Sequence, residues 1–319
     1  MSLDMHHYFP PAGPLESPAV LRALMDARSN LAELKGVART IPNERLLSTL
    51  SLLEAQSSSE IENIITTQDA LHRYQIQPKS MDPASQEVAR YAQGLDAGFR
   101  EVRNSGLLTL NTIRKIQAVL EGNDAGFRAT LGTVLRNQQT GETVYEPPSP
   151  LEVPALTAEL EQYIHDNSAE DPLVRMAVIH HQFETIHPFY DGNGRTGRIV
   201  NILFLVRAGL LDSPILYLSR YISQTKESYY RELQRVRDTG DWESWLLYML
   251  RGVAVTARHT TDLVDAIGNL LQQHKHYIRD NYRFYSQDLI NNIFRHPYTK
   301  VAFVEGDLGV SRATATRYL

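Results

Sequence analysis

The run His187-Pro188-Phe189-Tyr190-Asp191-Gly192-Asn193-Gly194-Arg195-Thr196-Gly197-Arg198 puts a base, a carboxylate, a glycine-rich turn and two guanidinium groups within twelve residues. Glycines at the entry to a helix let successive backbone N–H groups converge on one point, and the helix N-terminus adds positive potential there. Gly192, Asn193 and Gly194 therefore read as an anion cradle. Arg195 and Arg198 lie three positions apart, so they project from one helix face, and guanidinium forks suit phosphate oxygens. Asp191 precedes the cradle, where a carboxylate beside bound phosphates anchors Mg²⁺. His187, with an ordinary pKa of about 6.5, accepts a proton from an incoming hydroxyl at neutral pH. Phe189 is apolar between polar neighbours and is expected to anchor the loop in the core. Gly-Asn-Gly alone is an ordinary turn, and a lone histidine before proline is an ordinary loop residue. Their joint occurrence is what makes a nucleotide site.

The elements that must position this segment read as helices. Apolar residues recur at helical spacing over Pro18 to Val37, Glu44 to Ser57, Pro83 to Asn104 and Thr109 to Leu120. Ser58 or Ser59 suits the cap of a further helix, Glu60 to Leu71. Leu131 to Tyr145 is rich in β-branched residues around Gln138-Gln139-Thr140-Gly141 and predicts a β-hairpin, ended by Pro147, Pro148 and Pro150. Helical spacing resumes over Leu151 to His165 and Pro172 to Thr185. The second half of the motif opens a helix into Ile199 to Ala208, and Ser228 to Arg237 and Trp242 to His274 follow, with a break at Gly240-Asp241. Short helical pieces close the chain at Phe284 to Phe294, Tyr298 to Glu305 and Ser311 to Leu319, with Gly306 and Gly309 expected to separate the last two. The fold class is all-α with one small β-hairpin.

Composition sets the bounds. The 319 residues carry 32 Lys+Arg against 37 Asp+Glu, a net charge of −5, so nothing global draws the chain to nucleic acid or membrane surfaces. No cysteine is present, which removes disulfides, thiolate catalysis and cysteine zinc sites and fits a cytoplasmic protein. Met1 to Pro14 lacks the basic-then-apolar pattern of a signal peptide, and no apolar run approaches the roughly 20 residues that span a bilayer.

The central segment resembles the Fic family of nucleotidyl transferases (Fic/DOC superfamily), whose motif reads His-x-Phe-x-(Asp/Glu)-Gly-Asn-Gly-Arg-x-x-Arg; all eight specified positions are met. The resemblance implies transfer of AMP from ATP to a Ser, Thr or Tyr hydroxyl of a protein target, auto-AMPylation included. It makes His187 the general base and Asp191 the Mg²⁺ ligand. It assigns nucleotide contact to Gly192, Asn193, Gly194, Arg195, Thr196, Gly197 and Arg198. Upstream, Ser58, Glu62 and Asn63 match the family's inhibitory motif, (Ser/Thr)-x-x-x-Glu-(Gly/Asn), which implies that Glu62 pairs with Arg198 and misplaces ATP; in some relatives the same glutamate supports removal of AMP. The hairpin, about Val134 to Tyr145, falls where the family carries a target-docking flap. Leu216-Tyr217-Leu218-Ser219 and Tyr229-Tyr230 fit the region around the nucleotide, with Tyr230 the candidate adenine contact.

The resemblance runs over about Leu31 to Val255. It divides the chain into an N-terminal helical region (1–108) with the inhibitory helix at about 58–71, a catalytic domain (109–275) and a tail (280–319). Ser286 to Leu319 resembles the start of a winged-helix or helix-turn-helix unit, with Arg312, Thr314, Thr316 and Arg317 as the residues that would face DNA. That unit stops within its second helix, so DNA binding is not expected and packing or protein contact is. Homodimerisation is implied by resemblance alone. The motif fixes a phosphate grip rather than the base, so UMP, GMP, phosphate or phosphocholine transfer stays open, as does a nucleotide-sensing DNA-binding regulator.

Overall fold

The computed structural model describes residues 9, 11, 13–39, 44–71, 82–136, 141–166, 169–294 and 299–319. Among the described residues the regular elements are helices apart from one short hairpin. In order the elements are α1 (Pro18–Ala38), α2 (Glu44–Ile61), α3 (Pro83–Ser105), α4 (Leu110–Glu121), β1 (Leu135–Arg136), β2 (Thr143–Tyr145), α5 (Val153–His165), α6 (Pro172–Ile186), α7 (Asn193–Arg207), α8 (Leu218–Gln224), α9 (Lys226–Thr239), α10 (Trp242–Asn281), α11 (Gln287–Ile293), α12 (Val301–Leu308) and α13 (Arg312–Tyr318).

Two central helices hold the motif. Every residue of α6 from Leu173 to Ile186 is buried, and α7 is buried from Arg195 to Leu205. Helices buried on all sides lie at the centre of a core, and here α6 and α7, polar residues included, pack on each other with α3, α4, α5 and α10 around them. Gly197 makes the closeness possible: a Cβ there would lie 2.8 Å from Glu184 Oε1 and 3.0 Å from Phe183 Cδ1. The long α10 packs along α1 and against α6, and Trp245 is fully buried with its indole donating to the Ala177 carbonyl at 2.8 Å. Gly240, in the left-handed region, and the Asp241 cap make the break before α10.

The hairpin is present. β1 and β2 run antiparallel, pairing Leu135 with Tyr145 and Arg136 with Thr143. Its expected tip, Gln138-Gln139-Thr140, lies outside the described residues, as do most of Met1 to Pro14, His72 to Met81 and Tyr298. In the tail, Leu289, Val304 and Ala315 form a small core of their own. Gly306 lies inside α12 rather than at a break, and Gly309 ends that helix.

One expected helix is corrected. No helix runs from Glu60 to Leu71 with Ser58 or Ser59 as its cap. Both serines are fully buried in the last turn of α2, which continues to Ile61. Serines favour caps when their hydroxyls lack better partners, but Ser57 and Ser58 are engaged across the fold, while the buried Ser59 hydroxyl has no partner among the described residues. Ser57 Oγ meets the Tyr217 hydroxyl at 2.7 Å, and Ser58 Oγ accepts from Arg198 Nε at 2.8 Å. The next helical turn, 68–71, is capped by Thr67, whose hydroxyl accepts from Ala70 N.

Candidate active site

The site is built where α6 ends and α7 begins. His187 caps α6 in the left-handed conformation (φ 48°, ψ 60°), its N–H donating to Phe183 O at 3.0 Å. Phe189 is fully buried, as expected, and the Phe127–Phe189 bridge ties the loop to the segment before the hairpin. Gly192 (φ 76°) is the N-cap of α7, a conformation glycine adopts without strain. Asn193 does not point at a ligand. Its amide closes the loop on itself, Oδ1 accepting from Phe189 N and Nδ2 donating to Phe189 O, both at 2.9 Å. Only its backbone N–H is left to serve a cradle. Asp191 is exposed; one carboxylate oxygen accepts from Gly192 N at 2.7 Å, and no partner holds the other among the described residues.

The upstream motif is brought to this loop. Arg198, 2 % exposed, donates from Nε to Ser58 Oγ (2.8 Å) and from one terminal nitrogen to Ser58 O (2.9 Å) and Glu62 Oε1 (2.8 Å). Burial opposes the Arg198 charge, but Glu62, then Tyr229, Tyr91 and Glu184, more than offset it and hold the guanidinium firmly protonated. Burial likewise disfavours the Glu62 carboxylate, yet Arg198, then Arg195 and Lys226, hold its pKa below the usual range. Glu62 sits against the cradle: a Cβ on Gly194 would fall 2.4 Å from Glu62 Oε1. Asn63 follows with φ 62°, the left-handed position that ends α2 and that only glycine or asparagine occupies readily, which accounts for the motif's last residue. Its side chain accepts from Lys226 Nζ at 3.2 Å.

Arg195 is paired with carboxylates from two other helices. Its two terminal nitrogens donate to Glu87 Oε2 (3.0 Å) and Glu121 Oε1 (2.8 Å), on α3 and α4. Neither glutamate was singled out in the sequence; no local signal links residues so far apart in the chain. Thr196 is fully buried, and Gly197 faces α6, where its lack of a side chain lets the two helices approach closely.

Around the edge, Tyr230 is 43 % exposed and packs edge-on against buried Tyr229, with ring centroids 5.0 Å apart. Burial, then Glu62, raise the Tyr230 phenol, which stays protonated. Leu216-Tyr217-Leu218-Ser219 is buried and anchors α2 instead of lining an open cavity. Ser219 donates its N–H (2.9 Å) and its hydroxyl to Glu54, which also accepts from the Tyr91 hydroxyl at 3.2 Å. Burial pushes the Glu54 carboxyl up to about 7.

His187 is suited to take a proton here. Burial, then the Arg237 and Arg128 guanidinium groups, push its pKa down to about 4, against the pull of Glu62 and the Glu184 backbone. It is neutral at physiological pH, and its Nδ1 is buried without a partner, which leaves Nε2 as the working nitrogen. Among the described residues no cluster of three or more His, Cys, Asp or Glu side chains is arranged to hold a metal by itself. Asp191 offers an exposed carboxylate oxygen beside the cradle.

Comparison with known proteins agrees with this geometry. Residues 21–100 match the model of the Fic/DOC family N-terminal region, 107–205 the Fic/DOC family itself, and 270–319 the C-terminal domain of SoFic-like protein adenylyltransferases. A probable protein adenylyltransferase of Aquifex aeolicus is 27% identical over 190 residues, 58% of this chain and 57% of that protein. The protein adenylyltransferase fic-1 of Caenorhabditis briggsae is 28% identical over 188 residues, 56% of this chain and 35% of that one. The chain thus spans about half or less of the length of these relatives. A Fic family protein from Desulfovibrio desulfuricans has the same fold, with a TM-score of 0.68 at 22% identity over 97% of this chain and 89% of that one. Fic-1 of C. elegans aligns with a TM-score of 0.57 at 22% identity, over 77% and 72%.

Proposed function

This chain belongs to the Fic/DOC family, and we propose that it transfers the AMP group of ATP to a hydroxyl of a protein target, and that Glu62 holds it off in the state seen here. The observation that carries the reading is the closure of Glu62 and Ser58 onto Arg198 beside a neutral His187 and an open glycine cradle. His187 Nε2 takes the proton of the target hydroxyl as its oxygen attacks the α-phosphorus; the bond from that phosphorus to the β-phosphate oxygen breaks and pyrophosphate leaves. The N–H groups at the start of α7 hold phosphate oxygens. Arg198, once freed, takes the γ-phosphate end and sets the in-line geometry. Tyr230 stacks on the base.

Asp191 fits Mg²⁺, with a free, exposed carboxylate oxygen beside the cradle; the ion would neutralise charge building on the phosphates. While Glu62 occupies the Arg198 fork, its charge repels a γ-phosphate, and a displacement of the α-phosphate of order 1 Å costs about 100-fold in rate. On this reading the catalytic residues lie in 109–275, and the inhibitory residues in the N-terminal region end α2 rather than begin a helix.

Labelled ATP and Mg²⁺ with wild type, Glu62→Gly and His187→Ala test the proposal. The expected outcome is weak self-labelling of wild type, strong labelling of Glu62→Gly, and none of the Glu62→Gly/His187→Ala pair. Equal labelling of wild type and Glu62→Gly would remove the autoinhibition; labelling that survives loss of His187 would remove the mechanism.

A further inference from the structure

An α-helix leaves its last carbonyls without partners inside the helix. At the end of α6 each of these is taken by a side chain from elsewhere. Glu184 O accepts from an Arg237 terminal nitrogen (3.1 Å), Thr185 O from the Tyr145 hydroxyl (2.8 Å), Ile186 O from an Arg128 terminal nitrogen (3.2 Å) and His187 O from Arg128 Nε (2.8 Å). Arg128, Arg237 and Tyr145 are all buried. Arg237 also donates to Thr185 Oγ1 at 3.2 Å and stacks over the Tyr145 ring, 3.7 Å from its centroid. Neither arginine has a carboxylate at ion-pair distance among the described residues. A buried cation without a counter-ion is costly. Here the partial negative charge of the helix C-terminus compensates it.

Two of these residues belong to the flap and its approach, and Arg237 of α9 stacks on one of them. Tyr145 ends β2. Arg128 precedes β1, and one of its nitrogens donates to Pro148 O, just beyond β2, at 2.5 Å. Arg128 N donates to Pro188 O, in the motif, at 2.9 Å. Both stems of the flap therefore end on the turn that carries His187. A target strand paired to the flap edge would be held in register with the base through these bonds.

We propose that Arg128, Tyr145 and Arg237 are positioning residues for His187: they close the carbonyl end of α6, hold the base in its left-handed turn, keep two positive charges beside it, and fix the flap to it. This rests on His187 acting as the base in the proposed transfer. Charged groups acting on the imidazole are Arg237 from α9, Arg128 from the segment before β1 and Glu62 from the turn after α2, with the Glu184 backbone of α6 beside it. The two arginines disfavour the imidazolium and Glu62 favours it. In a Glu62→Gly parent the balance shifts further toward the neutral base.

The test uses the full chain carrying Glu62→Gly and compares it with added Arg128→Gln, Arg128→Lys and Tyr145→Phe. Two readouts are taken: kcat and KM for ATP from pH 5 to 9, and the His187 imidazole titration followed by NMR. Arg128→Gln is expected to lower kcat by about 10- to 100-fold, the cost of a base misplaced by up to about 1 Å, with KM for ATP within two-fold, because Arg128 does not touch the cradle. It is also expected to move the His187 titration and the acidic limb of the rate profile upward, toward the ordinary value. Arg128→Lys keeps the charge and loses the fork, so kcat falls while the titration stays low. Tyr145→Phe keeps the stacked ring and loses one carbonyl bond, giving a several-fold loss in kcat in a chain expected to fold. An unchanged His187 titration in Arg128→Gln, or kcat unchanged in all three, overturns the proposal. If the parent itself fails to label, the transferase reading falls, and the NMR titration still decides whether the arginines govern the imidazole.

Discussion

Glu62→Gln is the sharpest probe of the lock, because it removes the charge and keeps the volume. Glu62 is held by one charge-assisted hydrogen bond, Arg198 to Oε1 at 2.8 Å, with the arginine 2 % and the glutamate 34 % exposed. Hydrogen bonds to charged groups contribute about 1.5–3 kcal/mol, and because a third of the Glu62 side chain remains in water the lower half of that range applies. A neutral amide in its place retains a weaker bond, so the loss is about 1–2 kcal/mol. At 1.4 kcal/mol per decade this is about a 5- to 30-fold rise in the productive population. Glu62→Gly removes the bond and the carboxylate pressed on Gly194, and should exceed the Gln variant. The assay is the initial rate of AMP incorporation at saturating ATP, with ATP affinity measured separately by calorimetry. The expected order is wild type below Gln below Gly, with ATP affinity rising far less than the rate. A Gln variant indistinguishable from wild type, beside an active Gly variant, would show that bulk and not charge excludes the productive pose, and the electrostatic reasoning would fail.

Other consequences can be checked with single variants. Ser58→Ala leaves buried Arg198 Nε without its acceptor; unfolding in urea should show a loss of about 1–3 kcal/mol, and no loss would mean the hydroxyl is replaceable by water. Gly197→Ala forces a methyl to within 3.0 Å of both Glu184 and Phe183, for a cost of about 1–3 kcal/mol read as a lowered Tm; a neutral result would show that α6 and α7 can part. Tyr230→Ala should raise KM for ATP several-fold with Tyr230→Phe near wild type, and equal effects of both would assign the contact to the hydroxyl rather than to stacking. Glu54→Gln tests a pH linkage. The folded carboxyl titrates near 7 and the unfolded one near 4.5, so the folded state binds the proton more tightly and its contribution to stability grows as pH falls from 7 to 4.5 and is lost as pH rises. The stability gap between parent and variant should widen by about 3 kcal/mol across that window; a constant gap would refute the raised value.

The legible parts of the site are those that lie close together in the chain. The loop from His187 to Arg198 is one contiguous turn, so its residue types alone announce a base, a cradle and two forks. Glu62 was legible only because a short motif fixes its distance from Ser58. The end of α2 was misread for a physical reason: serines have cap-forming hydroxyls, and only the tertiary partners Tyr217 and Arg198 show why Ser57 and Ser58 stay helical. Glu87, Glu121, Arg128 and Arg237 carry no local pattern. Their significance comes from meeting the loop across intervals of 50 to more than 100 residues. Asn193 shows the converse: its type suggested ligand contact, and its side chain is spent on the loop.

The two arginines of the motif are both paired with carboxylates, yet only one pairing has the properties of a switch. Arg195 is held by two glutamates on two helices, Glu87 on α3 and Glu121 on α4, and a Cβ on Gly192 would strike Glu121 at 2.3 Å. Releasing Arg195 means prising α7 from both helices, and Glu121 is only 14% exposed. Arg198 is different. Glu62 stands in the turn beyond the last residue of α2, makes no other recorded hydrogen bond from its carboxylate, and is one-third exposed. Moving it costs one bond and a local turn, while Ser58 still holds the Arg198 Nε and one terminal nitrogen in place. The guanidinium is therefore kept pointed at the cradle when the glutamate leaves. Two carboxylates would still face Arg195 and a third, Asp191, would still stand beside the loop, so an incoming triphosphate meets a site that favours it only once a divalent cation enters with it. The expected signature is an activity whose Mg²⁺ requirement remains after Glu62 is removed and tightens when Asp191 is changed to Asn; a Glu62→Gly/Asp191→Asn chain as active as Glu62→Gly at low Mg²⁺ would refute this division of labour between the two arginines.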